Sequence, residues 1–319
     1  MNIFFGNFNG LNKLVVVTGA SGFIGKAVCK KMAAAGWTVF GIGHGDWGPA
    51  EFERYGVTKW LNADVSLSNI HLLVGDQHPQ SIIHCAGGSA VSASYSDPYK
   101  DFDRTVTSTA MVLEFVRQSK LDGVRVVVAS SAAVYGDQGD VDFFESSPRM
   151  PISPYGFHKM ASENICESYS KYFGLSVSIV RLFSVYGEGL RKQLLWDALN
   201  KFSVCRCDFF GTGDELRDWI HVDDAAELLC RAAMKPQENF AIYNGGHVHA
   251  TTRQVLTSLA QIRSPELFPK FNNEVHPGNP KRLTSNCSAA HKKLDWYPTI
   301  GLQDGLSSYA KWHNLERKQ

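Results

Sequence analysis

The sequence predicts an α/β protein built on a doubly wound parallel sheet, with a smaller mixed lobe toward the C-terminus. Three observations lead there. Short β-branched runs alternate with helix-length segments through the first half of the chain. Three glycines stand where the first of those runs gives way to a helix. After about Phe183 the alternation weakens, and proline- and glycine-rich loops appear between 264 and 280.

Each element has a local reason. Leu14 to Thr18 is short, β-branched and followed by glycine, as a buried parallel strand should be. Phe23 to Ala35 carries a helical stripe that Gly36 stops. Thr38 to Ile42, Ser81 to Cys85, Val124 to Ser130 and Ser176 to Leu182 read as further strands. Between them, Phe102 to Ser119 and Tyr155 to Phe173 read as helices. In the second half, Lys192 to Asn200 and Asp223 to Met234 read as helices, with a strand near Cys207 to Phe210. No internal repeat or low-complexity tract is present.

Composition narrows the function. The chain has 319 residues, enough for a substantial core in one large domain or two joined ones, and 44% of them are hydrophobic. Its 32 basic and 31 acidic residues give a formal charge of +1, which offers no basic field for nucleic acid. Seven cysteines lie scattered without a disulfide or zinc framework, as expected of a protein of the reducing cytoplasm. Met1 to Asn12 reads as a short leader and not a signal peptide, for it lacks a basic start and a long apolar stretch. No run approaches the roughly 18 apolar residues of a membrane span, so no membrane partner is expected. His247 and His249 alternate as strand residues do and lack a third ligand nearby, so no metal is expected.

The glycines carry chemistry. Thr18-Gly19-Ala20-Ser21-Gly22-Phe23-Ile24-Gly25 joins the first strand to the first helix. Glycines 19 and 22 let the backbone turn tightly and approach a pyrophosphate, and Gly25 lets helix and strand pack closely. The helix N-terminus presents unpaired N–H groups to the anion. This is a Rossmann-type dinucleotide site, with Ser21, Phe23 and Ile24 beside the glycines as candidate cofactor contacts. An NAD site usually places an acid about 20 residues further on, against the ribose hydroxyls. Here that place holds Gly43 or His44, with Asp46 close by, and no Arg or Lys stands ready for a 2′-phosphate. NAD and NADP both remain open. Asp64, followed by Val65, is placed to accept from the adenine amine.

Tyr155 and Lys159 are four residues apart near a helix start and so share a face. An ammonium beside a phenol favours the phenolate and readies it as a base. The pair follows Ser130-Ser131 at the C-terminal end of a strand, where ligands of open α/β sheets bind.

The ordered set Gly19/Gly22/Gly25, Ser131-Ala132-Ala133-Val134-Tyr135-Gly136 and Ser153-Pro154-Tyr155-Gly156-Phe157-His158-Lys159 resembles the extended short-chain dehydrogenase/reductases. Within them it looks like the nucleotide-sugar epimerase/dehydratase family. Arg181-Leu182-Phe183-Ser184-Val185-Tyr186-Gly187, Gly211-Thr212-Gly213-Asp214, Arg217-Asp218-Trp219-Ile220-His221-Val222-Asp223-Asp224 and Leu294-Asp295-Trp296-Tyr297-Pro298 extend the likeness from about Leu14 to Pro298.

By that resemblance, Tyr155 is the acid/base, and Lys159 lowers its pKa while holding the nicotinamide ribose. Ser131 hydrogen-bonds the reacting sugar hydroxyl or ketone, and Arg217 binds the diphosphate of a nucleoside-diphosphate sugar. Two departures touch the substrate side. Ser184 stands where the family commonly has Asn, and His276 stands near the place of a family arginine, with Arg282 the alternative substitute. The expected division is a dinucleotide-binding domain over 1–183 and a mainly substrate-binding lobe over 184–319, with part of 218–246 returning to the first. The family's usual assembly is a homodimer, for which Phe102 to Ser119 and Tyr155 to Phe173 are the candidate helices.

Dehydratases of that family carry an acidic pair just after the catalytic Ser or Thr, where this chain has Ala132 and Ala133. Dehydration and decarboxylation are therefore disfavoured. A 4-epimerase acting through a 4-keto intermediate is the expected activity. The alternative is an NADPH-dependent 4-keto-6-deoxy-sugar reductase. A non-catalytic dinucleotide sensor of the same fold is a remote third reading, against which the retained Tyr/Lys pair argues.

Overall fold

The computed structural model describes residues 13–45, 47–121, 123–235, 238–275 and 279–317. The leader, Asp46 and His276 lie outside the described residues. The chain runs β1 (Leu14–Thr18), α1 (Phe23–Ala34), β2 (Thr38–Gly43), α2 (Pro49–Arg54), β3 (Val57–Asn62), α3 (Leu67–Val74), β4 (Ser81–His84). Helices α4 (Val91–Ser96), α5 (Pro98–Phe102) and α6 (Ser108–Gln118) follow. Then come β5 (Arg125–Ser131), the two-residue β6 (Asp142–Phe143), the long α7 (Pro154–Phe173) and β7 (Ser176–Leu182). The second half runs β8 (Ser184–Tyr186), α8 (Gln193–Phe202), β9 (Asp208–Phe209), β10 (Leu216–His221), α9 (Val222–Met234), β11 (Phe240–Gly245). It closes with β12 (Val248–Thr251), α10 (Thr252–Arg263), β13 (Lys270–Phe271), β14 (Arg282–Ser285), α11 (Ser288–Leu294) and α12 (Leu302–Glu316).

Seven strands form one sheet in the order β11-β7-β5-β4-β1-β2-β3, and every pair in it is parallel. Its inner strands are buried on both faces, as a sheet covered by helices on both sides requires. Val15 and Val17 pack on one face with α1 and α9, while Leu14 and Val16 pack on the other with α3, α6 and α7. The doubly wound sheet expected from the sequence is present. Strand order reverses between β1 and β4, which opens the crevice where such sheets bind ligands.

A smaller mixed sheet, β12-β10-β14-β6 with β8 beside β10, lies over that crevice. The chain crosses between the two sheets: β6 comes from the first half, and β11 from the second half edges the large sheet. Helices α8, α10 and α12 enclose the smaller lobe's core around Leu195, Leu199, Leu256, Leu259 and Leu306.

One expected helix is irregular. Phe102 to Gln118 is helical throughout, but Asp103–Thr107 is a π-helical stretch between α5 and α6. Ser108 Oγ and Thr109 Oγ1 donate back to the carbonyls of Arg104 (2.5 Å) and Thr105 (2.6 Å), and Ser162 Oγ adds a bond to Thr105 O (3.1 Å). Hydroxyls competing for these carbonyls loosen the ordinary ladder.

A buried ion pair ties the elements below the crevice together. Arg181 on β7 donates to both carboxylate oxygens of Glu163 on α7, at 3.0 and 2.7 Å. Ser130 Oγ on β5 donates to Glu163 Oε1 at 2.6 Å, and Arg181 also reaches Tyr135 Oη and Glu145 O, both at 2.9 Å. Glu163→Ala would leave the guanidinium buried and unpaired. We expect the variant to lose about 3–5 kcal/mol of stability in urea unfolding. A loss below about 1 kcal/mol would show that water compensates the arginine.

Candidate active site

The backbone at the start of α1 is shaped for close approach. Gly19 has φ +65°, and a Cβ there would lie 2.7 Å from Ala86 N, because the loops after β1 and β4 meet at this point. A Cβ on Gly25 would lie 2.1 Å from Gly19 O, so this glycine lets the helix sit against the turn. Gly22 differs. Its Cβ would meet only Gly19 O at 3.1 Å and otherwise face the cavity. Gly22 also caps α1 without any side-chain hydrogen bond, which leaves the first-turn N–H groups for a ligand. This cradle fits a dinucleotide pyrophosphate.

A cavity of about 1680 Å³ runs from this cradle to the smaller lobe. Its lining contains Gly19, Ser21, Gly22, Phe23, Ile24, Gly25, Gly43, His44, Asp64 and Val65, the residues singled out for cofactor. His44 and Asp64 are hydrogen-bonded to each other, His44 Nε2 to Asp64 Oδ1, at 2.7 Å, and Ser21 Oγ donates to His44 O at 2.5 Å. Ser131, Tyr155, Lys159, Ser184 and Arg217 line the same cavity. Arg282 does not. It lies along β14 and β6, where Nη2 donates to Asp142 Oδ1 (2.7 Å) and Nε to Thr284 Oγ1 (2.9 Å).

Three local devices hold the reacting end. Ser131 closes β5 and accepts from Ala133 N at 3.2 Å, starting the tight turn Ala132–Val134. Ser153 caps α7 by accepting from Gly156 N at 3.2 Å, with Pro154 in the first turn. Gly156 then lets helix and turn touch, since a Cβ there would lie 2.6 Å from Ala133 O. Tyr155 is thereby brought near Ser131, whose hydroxyl favours the ionised phenol. Ser94 Oγ fixes the Tyr155 backbone by accepting from its N at 3.0 Å.

The electrostatics differ from the simple tyrosine–lysine picture. Desolvation pushes the Tyr155 phenol up to about 12, the Ser131 hydrogen bond pulls it down, and the Asp101 carboxylate raises it. Lys159 is buried, its Nζ donates to Ala129 O at 3.0 Å, and it stands 5.8 Å from the Tyr155 ring centroid. Desolvation brings its ammonium down to about 8, against the pull of Asp101, Cys85 and Glu163. Ser131, and not Lys159, is the group that eases ionisation of the phenol.

Several parts of the site were not foreseen. Cys85 to Ser92 forms the cavity wall after β4, and Gly87 passes so close to Lys159 that a Cβ would lie 3.1 Å from Nζ. Buried Asp101 is bonded to His158 Nδ1 at 2.6 Å, immediately before Lys159. The small-residue run Cys85-Ala86-Gly87-Gly88-Ser89 after a strand was the available signal, since such runs mark close backbone approach.

A parallel sheet with a glycine cradle at its switch point and a Ser–Tyr–Lys set at the end of β5 defines an enzyme of the extended short-chain dehydrogenase/reductase type. The chain belongs to the NAD dependent epimerase/dehydratase family, which it matches over residues 15–246. It is 26% identical over 317 residues to the UDP-glucuronate 4-epimerase of Thermodesulfobacterium geofontis, covering 94% of this chain and 97% of that one. Identity with the UDP-glucose 4-epimerase of Mycolicibacterium smegmatis is 29% over 308 residues, covering 92% and 96%. Among solved structures, the UDP-glucuronic acid 4-epimerase of Bacillus cereus, in complex with UDP-glucuronic acid and NAD, superposes with a TM-score of 0.85. That match has 25% identity and covers 95% of this chain and 99% of that chain.

Gly22→Val needs only a small shift of the Gly19 carbonyl, 3.1 Å from the added Cβ, puts the rest of its side chain in the cavity, and should lose dinucleotide binding. Calorimetric titration with NAD and NADP checks it. Unchanged affinity in a folded variant would remove the cradle from the site.

Proposed function

We propose that this enzyme is a 4-epimerase of a nucleoside-diphosphate sugar, working through a 4-keto intermediate. The observation that carries the reading is the pairing of Tyr155 with Ser131 beside two alanines. Ala132 and Ala133 line the cavity where elimination of water from the oxidised sugar would require acids. A site able to exchange a proton and a hydride, with no acid for elimination, suits epimerisation. The relatives that carry this activity in their names support the reading.

In this reading Tyr155 removes the proton of the sugar 4-hydroxyl and later returns it, while Ser131 holds the oxygen in line. A bound nicotinamide dinucleotide supplies the hydride acceptor. Lys159 holds the nicotinamide ribose, and the glycine cradle, Gly43, His44, Asp64 and Val65 hold the rest of the cofactor. Ser184 contacts the sugar and Arg217 the diphosphate, while a contact from His276 lies outside the described residues. Arg282 has a structural part in this reading, holding Asp142. Residues 1–183 serve the cofactor and 184–319 mainly the sugar nucleotide, with part of 218–246 belonging to the first unit.

One observation favours the reductase alternative. The end of β2 offers His44, already bonded to Asp64, in place of a free acid for the ribose hydroxyls, which admits a 2′-phosphate. The dinucleotide that copurifies separates the two: tightly held NAD supports the epimerase, and an empty site preferring NADPH supports the reductase.

Among the described residues no helix is long and apolar enough to cross a membrane. We place the enzyme in the cytoplasm, acting in polysaccharide biosynthesis as a homodimer. Phe102, Phe157, Tyr172 and Phe173 support the dimer, being large apolar side chains left exposed on the two candidate segments. Light scattering at micromolar concentration should give twice the chain mass; a monomer would refute the pairing.

Tyr155→Phe keeps the ring and removes the exchangeable proton. Turnover should fall a hundredfold or more, roughly the worth of a positioned acid/base, while cofactor and nucleotide-sugar binding survive. Lys159→Met should slow turnover and also weaken cofactor binding. With its ammonium titrating at about 8, Lys159 is charged below that pH and neutral above it. Dinucleotide affinity should therefore fall as pH rises through 8 in the wild type and stay flat in Lys159→Met. Assays with UDP-sugars and NAD, and with 4-keto-6-deoxy nucleotide-sugars and NADPH, give both reactions a trial. Near-wild-type turnover in Tyr155→Phe would overturn the mechanism for either.

A further inference from the structure

The cavity holds a cation that the reading above leaves without a task. Lys192 lies at the exposed mouth, on the segment joining β8 to α8, and its Nζ donates to Ser89 Oγ at 2.7 Å. Gln193 reinforces the contact, donating from Nε2 to Ser89 O at 3.1 Å. Ser89 belongs to the wall after β4, so these two residues bridge the smaller lobe to the large sheet across the cavity.

Lys192 differs from the cations around it. Arg191 next to it pairs with Glu316, and Lys201 on the same helix pairs with Asp197 at 2.7 Å. Among the described residues no carboxylate lies within ion-pair distance of Lys192, whose partner is a neutral hydroxyl. A surface lysine with no cavity to serve would be expected to point into water, not across a crevice to a serine.

The surroundings are positive as well. Arg217 lines the same cavity and donates to neutral oxygens, Leu216 O at 2.9 Å and Asn279 Oδ1; among the described residues it makes no ion pair, although Glu215 and Asp137 act on it through space. Lys192 is also the N-cap residue of α8, where no side chain caps the helix, and Gln193, Leu194 and Leu195 of that first turn line the cavity. Two of the lining acids are spoken for: Asp64 by His44, and Glu215 by the backbone and side chain of Thr212. The third, Asp103, begins the π-helical stretch beside Arg104.

Position along the cavity narrows the ligand. The wall that carries Ser89 also carries Gly87, whose Cβ position lies 3.1 Å from Lys159 Nζ. Lys192 therefore reaches toward the reacting end, whereas Arg217 stands on β10 beside Asn279. We propose that Lys192 is a second anion-binding residue of the substrate cavity, exchanging Ser89 for an oxyanion of the sugar nucleotide. That oxyanion is either a phosphate of the diphosphate or a carboxylate carried on the sugar ring. The proposal rests on the nucleotide-sugar reading and adds to it the residue that senses substrate charge.

Calorimetric titration of UDP, UDP-glucose and UDP-glucuronate into the wild type, Lys192→Met and Ser89→Ala tests it. A hydrogen-bonded ion pair of this kind is worth roughly a tenfold change in affinity or more. Loss of about that size for all three ligands in Lys192→Met assigns the lysine to the diphosphate. Loss for UDP-glucuronate alone assigns it to a ring carboxylate and marks the substrate as an acidic sugar. Ser89→Ala, which frees the lysine without removing its charge, should bind within about twofold of the wild type. Unchanged affinity for all three ligands in Lys192→Met overturns the proposal while leaving the nucleotide-sugar reading intact. So does a Ser89→Ala variant as weak as Lys192→Met, since the bridge and not the charge would then matter. A wild type that binds none of the three, nor dTDP-glucose or GDP-mannose, overturns the underlying reading, and the proposal falls with it.

Discussion

The buried Arg181–Glu163 pair is the constraint on which the site depends. Glu163 lies one helical turn beyond Lys159 on α7, and Ser130, which bonds to it, immediately precedes Ser131 on β5. Arg181 brings in β7 and, through the Tyr135 hydroxyl, Asn244 on β11, to which that hydroxyl donates at 2.7 Å. A displacement of α7 relative to β5 would break charge-assisted bonds in a place without water to replace them. The Ser131–Tyr155 contact inherits that rigidity. Ion pairs of this kind add little net stability compared with apolar packing, and their value here is geometric: they admit one register of helix on strand.

Above that clamp, the crevice forms where the sheet reverses direction. The loops after β1 and β4 touch at Gly19 and Ala86, and the smaller sheet covers them from the other side. His84 braces the floor. Its ring bonds to Thr18 Oγ1 at 2.7 Å and to Ser108 and Thr109 hydroxyls at 3.2 Å, and burial, with the Lys159 charge, holds its pKa down to about 3. A neutral imidazole there links the end of β1 to α6 without adding a second charge beside Lys159. Two buried acids near the site are likewise engaged, Asp101 by His158 and Glu163 by Arg181.

What the sequence disclosed follows from the range of the forces involved. Strands β1, β4, β5 and β7 and helices α1 and α7 were legible because burial on both sheet faces, glycine spacing and capping are local signals. Tyr155, Lys159 and Ser131 could be read through their spacing and their likeness to a family. The π-helical stretch after Phe102 was not legible, since it goes with Ser108, Thr109 and Ser162 bonding to carbonyls that no periodicity marks. The Asp101–His158 pair spans α5 and α7, and the Lys192–Ser89 contact joins residues on opposite lobes. Such pairings are products of tertiary folding. Arg282 shows the opposite limit: a cation near the right place in sequence is turned away by Asp142.

The two titrating groups give the site its last physical meaning. A phenol at about 12 and an ammonium at about 8 mean that the free protein at neutral pH holds a protonated tyrosine and a charged lysine. The lysine spends its hydrogen bond on Ala129 O, and the phenol's principal aid is the Ser131 hydroxyl. Desolvation is responsible for both departures, and desolvation is the quantity that a ligand filling a 1680 Å³ cavity changes. The protein therefore supplies position in advance, and a ligand's charges, not its exclusion of water, are what could ease the phenol's ionisation. That division explains why the clamp beneath the site is rigid and fully paired, while the residues facing the cavity, Lys192 and Arg217 among them, keep neutral partners that an anionic substrate can displace.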